Sequence, residues 1–366
     1  SADMAPQIPT SAVENKAFQP QSMQFTPSSE YLLVLGKASG DQDNRYLVVY
    51  DSQGNRKGCV NILPVSITRQ DVAAANLTIT GSDDSSATVW MSWKTFSGQG
   101  TVDSFLGLTQ LPLSELLTVS PAVCESIETL GDEAKTIKVV KNDGSSETAL
   151  TILPSTSPNL TAFVSNGNRI YQLEDSQLEE VEVDIPAGLS IKALQATSEW
   201  IAVLLDDGLR FYPLAPPFTR LGFIPYGNAP DGLLFVSTSN FLLVRGQTDS
   251  ISVVDTESYS EKTTFAVQNA PTCFATQPFS FQAGNTIHAG DRIFVPNKQR
   301  GELLISSLTT LPSANAFPLE CSDYCSVPSG IEPSAIAVSP DGNRIAIGSE
   351  SSKSILLFSY LPGDIQ

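Results

Sequence analysis

The sequence predicts an all-β protein, a single β-propeller in which four-stranded antiparallel blades repeat around a ring. Three observations predict this fold. Short runs rich in β-branched and aromatic residues recur from end to end, and the periodicity of an amphipathic helix is nearly absent. The runs also return at an interval close to the length of a propeller blade.

The turns between the runs favour antiparallel hairpins. Gly, Asn, Asp, Ser and Pro separate the strands, and Asp-Gly pairs stand at several of the breaks. Both residues tolerate a positive φ, which tight hairpins require. We therefore expect hairpins, and not strands that alternate with helices, around four dipeptides: Asp143-Gly144, Asp207-Gly208, Asp231-Gly232 and Asp341-Gly342.

The spacing of the strands gives the number of blades. One kind of strand recurs at a mean interval of (355 − 47)/7 = 44 residues, which fits one four-stranded blade. We expect eight blades. Seven is the alternative, because the step from Ile137 to Ile170 is short. The first apolar residues of these strands are Leu47, Val89, Ile137, Ile170, Leu209, Ile251, Leu303 and Ile355.

Two units show the pattern most clearly, and the ends of the chain complete it. The last unit has three strands, so we expect the N-terminal segment around Val13–Phe18 to supply the fourth strand and close the ring. Residues 1–24 then form an N-terminal segment, and residues 25–366 form the propeller. The clearest units are expected at Ile191–Gln195, Ile201–Leu205, Leu209–Tyr212 and Arg220–Ile224, and at Leu233–Val236, Phe241–Arg245, Ile251–Asp255 and Thr263–Val267.

Two segments carry a resemblance to a known repeat family. Gly330–Ser349 reads GIEPSAIAVSPDGNRIAIGS, and Ile251–Thr256 reads ISVVDT. Both resemble repeats of YVTN-type and WD40-like propellers. The resemblance places a turn at Pro340-Asp341-Gly342. It also implies that Ile336, Val338, Ile345 and Ile347 pack between blades.

Composition restricts the class of partner. Lys and Arg number 21 and Asp and Glu number 39, so the net charge is 21 − 39 = −18 and the pI is about 4.4. This charge disfavours nucleic acids and anionic membrane surfaces, and no apolar run is long enough to span a bilayer. We expect a protein partner with a basic face. The low charge content and abundant Ser, Thr and Gln favour an extracytoplasmic location, and a cytoplasmic location is the alternative.

Function is predicted less directly than fold. We expect a non-catalytic scaffold that binds a protein partner through its inter-blade loops, since loops on rigid scaffolds carry function. The long insertions Gln268–Asp291 and Thr309–Glu332 are the expected binding elements. We expect no cofactor and no bound metal.

The alternative is an enzyme with a site in the central channel, similar to lactonase-like or isomerase-like propellers. The chain has one histidine, His288, and its neighbours Asp291 and Arg292 complete the only His-centred group of candidate catalytic residues. The competing interpretation is a loop histidine with no special role.

Five cysteines are too few for a disulfide-built fold. Cys321 and Cys325 are separated by three residues in a Ser- and Pro-containing segment, so a turn can bring them together in a possible disulfide. Two free thiols are the alternative. Cys59, Cys124 and Cys273 lie on or beside predicted strands, and we expect them to be free buried thiols.

Overall fold

The computed structural model describes most of the chain, and the statements below concern those residues. They are residues 7–9, 13, 16–64, 71–96, 105–130, 136–141, 149–152, 162–174, 177–227, 229–236, 240–246, 249–267, 273–283, 286–297, 302–309, 319–320 and 332–359.

Nearly all of the regular structure is β-strand. The helical elements of the described residues are the short α1 (Leu113–Leu116) and a 3-10 turn at Ile127–Thr129. The strands in chain order are β1 (Gln7–Pro9), β2 (Phe18–Phe25), β3 (Tyr31–Ala38), β4 (Tyr46–Asp51), β5 (Arg56–Asn61), β6 (Asp71–Thr80), β7 (Thr88–Phe96), β8 (Phe105–Pro112), β9 (Glu125–Ser126), β10 (Thr136–Lys141), β11 (Leu150–Ile152), β12 (Ala162–Asn166), β13 (Arg169–Glu174), β14 (Gln177–Val181), β15 (Ile191–Ala196), β16 (Trp200–Leu205), β17 (Gly208–Pro213), β18 (Gly222–Pro225), β19 (Gly232–Val236), β20 (Phe241–Arg245), β21 (Ser250–Asp255), β22 (Ser260–Ala266), β23 (Ala275–Ala283), β24 (Thr286–Asn297), β25 (Glu302–Thr309), β26 (Leu319–Glu320), β27 (Ala335–Val338), β28 (Arg344–Ser349) and β29 (Ser354–Ser359).

The described strands form seven sheets, which we number in chain order. Six sheets have four strands, and sheet I has five. Sheet I is β2-β3-β4-β5-β9, sheet II is β6-β7-β8-β10, sheet III is β11 to β14, sheet IV is β15 to β18, sheet V is β19 to β22, sheet VI is β23 to β26, and sheet VII is β27-β28-β29-β1.

The predicted architecture of four-stranded antiparallel blades is confirmed, but the predicted number is wrong. Val89 and Ile137 were counted as two blades, yet β7 and β10 belong to the same sheet II. The chain leaves sheet II after β8 and returns as β10, and this excursion lengthens the sequence of one sheet to about that of two. Six of the described sheets are four-stranded blades, so neither the expected eight nor the alternative seven is found: β7 and β10 share sheet II, and sheet I carries a fifth strand.

Each pair of neighbouring sheets encloses its own buried apolar cluster. Strand residues alternate between the two faces of a sheet, so each sheet contributes one set of side chains to the cluster before it and another to the cluster after it. Trp93 lies between sheets I and II, Phe163 between III and IV, and Phe211 between IV and V. Phe294 lies between sheets VI and VII, and Phe18 lies between VII and I.

Side-chain packing joins the last sheet to the first. Every described strand ladder stays within one sheet, so no ladder connects sheet VII to sheet I. Polar contacts instead cross the junction beside its apolar cluster. Lys37 Nζ lies 2.9 Å from Glu350 Oε1, and the backbone N–H of Asp341 donates to Ser29 Oγ at 3.1 Å.

The N-terminal strand is not the predicted one. β1 (Gln7–Pro9) pairs antiparallel with β29 as the outer strand of sheet VII, whereas Val13 only forms an isolated bridge with Lys16. The expected boundary between residues 24 and 25 falls inside β2, which belongs to sheet I.

The structure confirms the local features that the repeat resemblance implied for sheet VII. Ser339 Oγ accepts from the backbone N–H of Arg344, and Asp341 Oδ1 accepts from that of Asn343. Gly342 adopts φ 72°, which favours glycine. Ile336, Ile345 and Ile347 are buried between sheets VI and VII, and the partly buried Val338 packs against them.

A disulfide bond links Cys59 to Cys124, which corrects the expectation of free thiols at these positions. The excursion after β8 passes over the outer edge of sheet I, where β9 pairs parallel to β5 directly after Cys124. Cys273 is buried with a free thiol, as expected. Cys321 and Cys325 lie outside the described residues, so their possible disulfide stays a prediction.

The first of the two expected binding loops is largely a strand pair. β23 and β24 are hydrogen-bonded from Ala275↔Phe294 to Ala283↔Thr286, so most of Gln268–Asp291 is a hairpin. Long polar stretches at the tip of a hairpin look like loop sequence when strand pairing is not known. Most of Thr309–Glu332 lies outside the described residues.

Candidate interaction surface

Carboxylates gather at one end of sheets III, IV and V. In an up-and-down sheet, the turn between its second and third strands lies at the same end as the connections from the previous and to the next sheet. Residues 182–190, 206–207, 226–231 and 246–249 are such segments. We name their six carboxylates the acidic end: Glu182, Asp184, Asp206, Asp207, Asp231 and Asp249.

Backbone hydrogen bonds hold these segments against one another. The N–H of Tyr226 donates to the carbonyl oxygen of Asp207 at 3.0 Å, and that of Asp231 donates to Arg245 at 2.9 Å. The N–H of Ser190 donates to Asp206 Oδ2 at 2.9 Å. The acidic end is therefore fixed by the ladders beneath it, as an interaction surface on a rigid scaffold requires.

One Asp-Gly pair forms the predicted hairpin turn here, and another does not. Asp206 and Asp207 are the turn between β16 and β17, and Gly208 follows with φ 154°. A Cβ atom at Gly208 would lie 2.3 Å from the carbonyl oxygen of Ile224, so only glycine fits. Asp231-Gly232 was predicted as a hairpin turn, but Asp231 ends the connection from sheet IV, and Gly232 begins β19.

Three of the six carboxylates are held by cations from the same sheets. Lys192 Nζ lies 3.1 Å from Asp206 Oδ1, and Arg245 Nε lies 2.9 Å from Asp231 Oδ1. Arg210 donates twice to Asp207, at 2.6 and 2.8 Å.

The remaining three carboxylates give the acidic end its net negative charge. Glu182, Asp184 and Asp249 are exposed, and none of the ion pairs between described residues includes them. Exposed carboxylates that are not neutralised project the field that a basic partner would sense.

The Arg210–Asp207 pair is the most buried of these ion pairs. The side chain of Arg210 is 4% exposed, and that of Asp207 is 39% exposed. The hydrogen bonds from Arg210 hold the pKa of the Asp207 carboxyl below its usual range, although partial burial opposes them. Asp207 is therefore ionised throughout the physiological pH range.

A small pocket opens between the carboxylates of the acidic end. Tyr226 and Pro230 line it from the connection between sheets IV and V, and Ser250 and Ser252 line it from β21. Burial raises the pKa of the Tyr226 hydroxyl, and this hydroxyl has no hydrogen-bond partner among the described residues. The pocket is too small for a drug-sized ligand.

The residues of the alternative catalytic site lie on one strand but not on one face. His288, Asp291 and Arg292 all belong to β24. Neighbouring residues of a strand lie on opposite faces, so Asp291 and Arg292 are on different faces of sheet VI. Asp291 and Arg292 are both buried. A catalytic role for these residues stays a prediction.

The described residues contain no cluster of three or more His, Cys, Asp or Glu side chains in a metal-binding arrangement. Among the helices of the same part of the chain, none is long and apolar enough to cross a membrane.

Sequence reasoning missed the neighbours that set the electrostatics of the acidic end. It identified Asp207-Gly208 as a turn but not Arg210 as the ion-pair partner of Asp207. The spacing along the sequence could have predicted this ion pair. A cation two residues after the glycine of a tight turn lies at the start of the returning strand, beside the carboxylate of the turn. The grouping of carboxylates from three sheets gave no local signal.

Comparison with known proteins supports the fold. No family model matches the chain, and no curated protein matches it. Among solved structures, a chain of the mitotic checkpoint complex has 12% sequence identity and a TM-score of 0.59, and the match covers 98% of this chain and 92% of that one. Raptor from Chaetomium thermophilum has 13% identity and a TM-score of 0.61, with coverage of 98% and 29%.

At such low identity the likeness to these two chains concerns the fold alone. The chain spans less than a third of the Raptor chain that it matches. The specific resemblance to YVTN-type repeats stays a prediction. By its fold, the protein is a β-propeller of antiparallel sheets.

Proposed function

We propose that this protein is a non-catalytic scaffold that binds a protein partner with a basic face, and that the acidic end is the surface that contacts it. The observation that carries the proposal is the set of three exposed carboxylates outside ion pairs, Glu182, Asp184 and Asp249, which neighbouring sheets present on one surface.

The electrostatics of the chain support a basic partner. A net charge of −18 attracts a basic protein over long range and raises the association rate. The fixed turns lower the ordering cost of the complex, because the acidic end is held in one arrangement before the partner arrives.

The structural neighbours support the scaffold class. One of the similar chains belongs to the mitotic checkpoint complex, a multiprotein assembly. The bond between Cys59 and Cys124 also supports an extracytoplasmic location, because such bonds persist in oxidising compartments.

A charge-matched pair of triple variants tests the proposal. The first variant is Glu182→Gln, Asp184→Asn and Asp249→Asn. The control changes three exposed carboxylates at the opposite end of the ring: Glu30→Gln, Glu199→Gln and Glu257→Gln. Both variants have a net charge of −18 + 3 = −15, so only the position of the lost charge differs.

Wild type and both variants are immobilised, and the proteins that each retains at low salt are quantified by mass spectrometry. Affinity for the retained basic protein is then measured by calorimetry. We expect about tenfold weaker binding to the acidic-end variant, since each exposed charge pair contributes about 0.2–1 kcal/mol. The control should bind as the wild type does. Equal binding to all three chains would contradict the proposal.

A further inference from the structure

The outer strand of sheet IV exposes apolar side chains in a row. Leu221 is 44% exposed and Phe223 is 39% exposed, and with Val123 they are the exposed large hydrophobic residues of the described chain. Leu221 directly precedes β18, and Phe223 and Pro225 lie in it; as alternate residues they share one face, whereas Ile224 is buried on the other. Two such side chains together form a patch, which isolated exposed residues do not.

The outer strands β14 and β22 carry charges where β18 carries none. β14 presents Glu179 and Glu180, and β22 presents Glu261 and Lys262, all of them exposed. Charges on an outer strand prevent another strand from pairing with it. β9 covers the edge of β5 instead. In contrast to these strands, β18 has no charged residue. Its shortness and Pro225 are the features of its sequence that hinder pairing with another strand.

The backbone of β18 offers one complete pairing position to solvent. Alternate residues of an antiparallel strand hydrogen-bond to the same neighbour. The N–H of Tyr226 donates to Asp207 of the β16–β17 turn, so Ile224 also turns its backbone groups toward β17, and just before the strand the N–H of Leu221 donates to the carbonyl oxygen of Phe211. The N–H and C=O of Phe223 therefore point away from the sheet, where another strand can pair with them.

Two guanidinium groups lie against the ring of Phe223. The Arg210 guanidinium carbon is 4.5 Å from the ring centroid, and that of Arg220 is 5.7 Å away. Asp207 engages Arg210, whereas no ion pair between described residues includes Arg220, which is exposed. An aromatic ring that arginine side chains hold in place is the kind of anchor found at the energetic centres of interfaces.

We propose that β18 accepts an extended segment of a partner protein as an added strand, with apolar side chains over Leu221 and Phe223 and one carboxylate on Arg220. The carboxylate follows from charge complementarity, since Arg220 is an exposed cation on a chain of net charge −18. Main-chain bonds to Phe223 supply affinity, and the alternating side chains supply specificity.

Pairing of β18 with a second copy of the chain is disfavoured. Two molecules of net charge −18 repel one another, whereas a short segment with one carboxylate meets much less repulsion. This surface adjoins the acidic end through Arg210 and Asp207 but includes none of the three carboxylates that carry the proposed function, so the inference does not depend on that function.

A blocked, fluorescein-labelled heptapeptide that alternates valine and threonine around a central glutamate tests the proposal by anisotropy with the full chain. In a second peptide the amides along one edge are N-methylated. In a third peptide the amides along both edges are N-methylated. A fourth peptide replaces glutamate by glutamine. The protein variants are Leu221→Ser with Phe223→Ser, Arg220→Gln, and Val123→Ser. Val123 is the matched control because it is 61% exposed and lies in the excursion that follows β8 of sheet II, away from β18.

We expect the double variant to bind the glutamate peptide about tenfold or more weakly than the wild type does. Val123→Ser should bind it as the wild type does, and methylation of both edges should abolish binding. Arg220→Gln should weaken binding of the glutamate peptide and leave that of the glutamine peptide unchanged. The acidic-end variant should bind normally, which separates this test from that of the proposed function.

Several results would overturn the proposal. The first is that the wild type does not bind the glutamate peptide at about millimolar concentration. The second is that it binds the doubly methylated peptide as well as the unmethylated one. The third is that the double variant binds the glutamate peptide as well as the wild type does. A wild-type dimer in sedimentation that the double variant lacks would assign β18 to a second copy instead. Circular dichroism should show that every variant is folded at the temperature of the binding assay. The thermal midpoint should match the wild type for Arg220→Gln and Val123→Ser and fall for the double variant, because Phe223→Ser removes the contact with Arg210.

Discussion

Arg210 shows how a single residue links the core of sheet IV to its surface. Its Cα belongs to β17, and its side chain is buried on the face that packs toward sheet III. The guanidinium reaches Asp207 in the adjacent turn and also contacts the ring of Phe223. A buried cation of this kind is tolerated because a carboxylate compensates its charge.

Replacing Asp207 by Asn should destabilise the fold, because it leaves the Arg210 charge without its carboxylate. We expect a loss of about 1–2 kcal/mol in the free energy of unfolding at pH 7, reduced from the value of a fully buried pair because Asp207 is partly exposed. Urea denaturation measures the change. Asp206→Asn in the same turn is the control, and its smaller loss reflects the more exposed Lys192.

The stabilisation that Asp207→Asn removes should depend on pH. The folded pKa of Asp207 is lowered, so its stabilising contribution is complete above the unfolded value of about 3.9 and is lost as the pH falls through the folded value. The stability difference between wild type and Asp207→Asn should be constant from about pH 7 to pH 5 and shrink below about pH 4. A difference that persists at low pH would contradict the role of the ionised carboxylate.

At the scale of elements, the excursion after β8 is the least regular part of the ring. It contains α1 and the 3-10 turn, crosses to sheet I and adds β9 to the edge of β5. A two-residue parallel strand has few hydrogen bonds of its own. The Cys59–Cys124 bond fixes the excursion at the position where β9 begins.

Removing this disulfide should destabilise the protein substantially. The cysteines are 65 residues apart, and closing a loop of that length stabilises a fold by about 4 kcal/mol in the chain-entropy model. We expect Cys59→Ala with Cys124→Ala to lower the urea midpoint, and reductant to lower the wild-type midpoint to the same value. Cys273→Ala, which removes a buried free thiol, should retain its sensitivity to reductant. A wild-type midpoint that reductant leaves unchanged would contradict the disulfide.

At the scale of the molecule, the sheets are joined by apolar clusters while most of the charge is negative and at the surface. The ion pairs described above are local, but the excess of 39 − 21 = 18 carboxylates repels across the whole ring. Repulsion between like charges opposes the compact state.

Salt should therefore raise the thermal midpoint. Increasing sodium chloride from about 10 mM to 150 mM shortens the screening length from about 30 Å to 8 Å, and we expect a stabilisation of about 1 kcal/mol, or about 2 °C. Differential scanning fluorimetry measures it. The acidic-end variant, with a net charge of −15, should show a smaller rise. A fall in the wild-type midpoint would indicate that screened ion pairs outweigh the repulsion.

Strands and turns could be predicted where their cause lies within a few residues. The four strands of sheet IV match their predicted positions to within two residues, because alternating apolar side chains and the Asp207-Gly208 turn act locally. The separation of Asp291 and Arg292 onto opposite faces also followed from their being neighbours in a strand, and strand alternation should have excluded them as one cluster on a shared face.

The sequence by itself determined that this protein is an all-β ring of repeated antiparallel sheets, that it is strongly acidic, and that Pro340-Asp341-Gly342 forms a turn. These properties depend on composition and on neighbouring residues. Only the tertiary structure decided the number of sheets, the fifth strand of sheet I, the partner of Cys59 and the grouping of carboxylates at the acidic end. The physical reason is distance along the chain, since these contacts join residues from different sheets and leave no periodic signal in either segment.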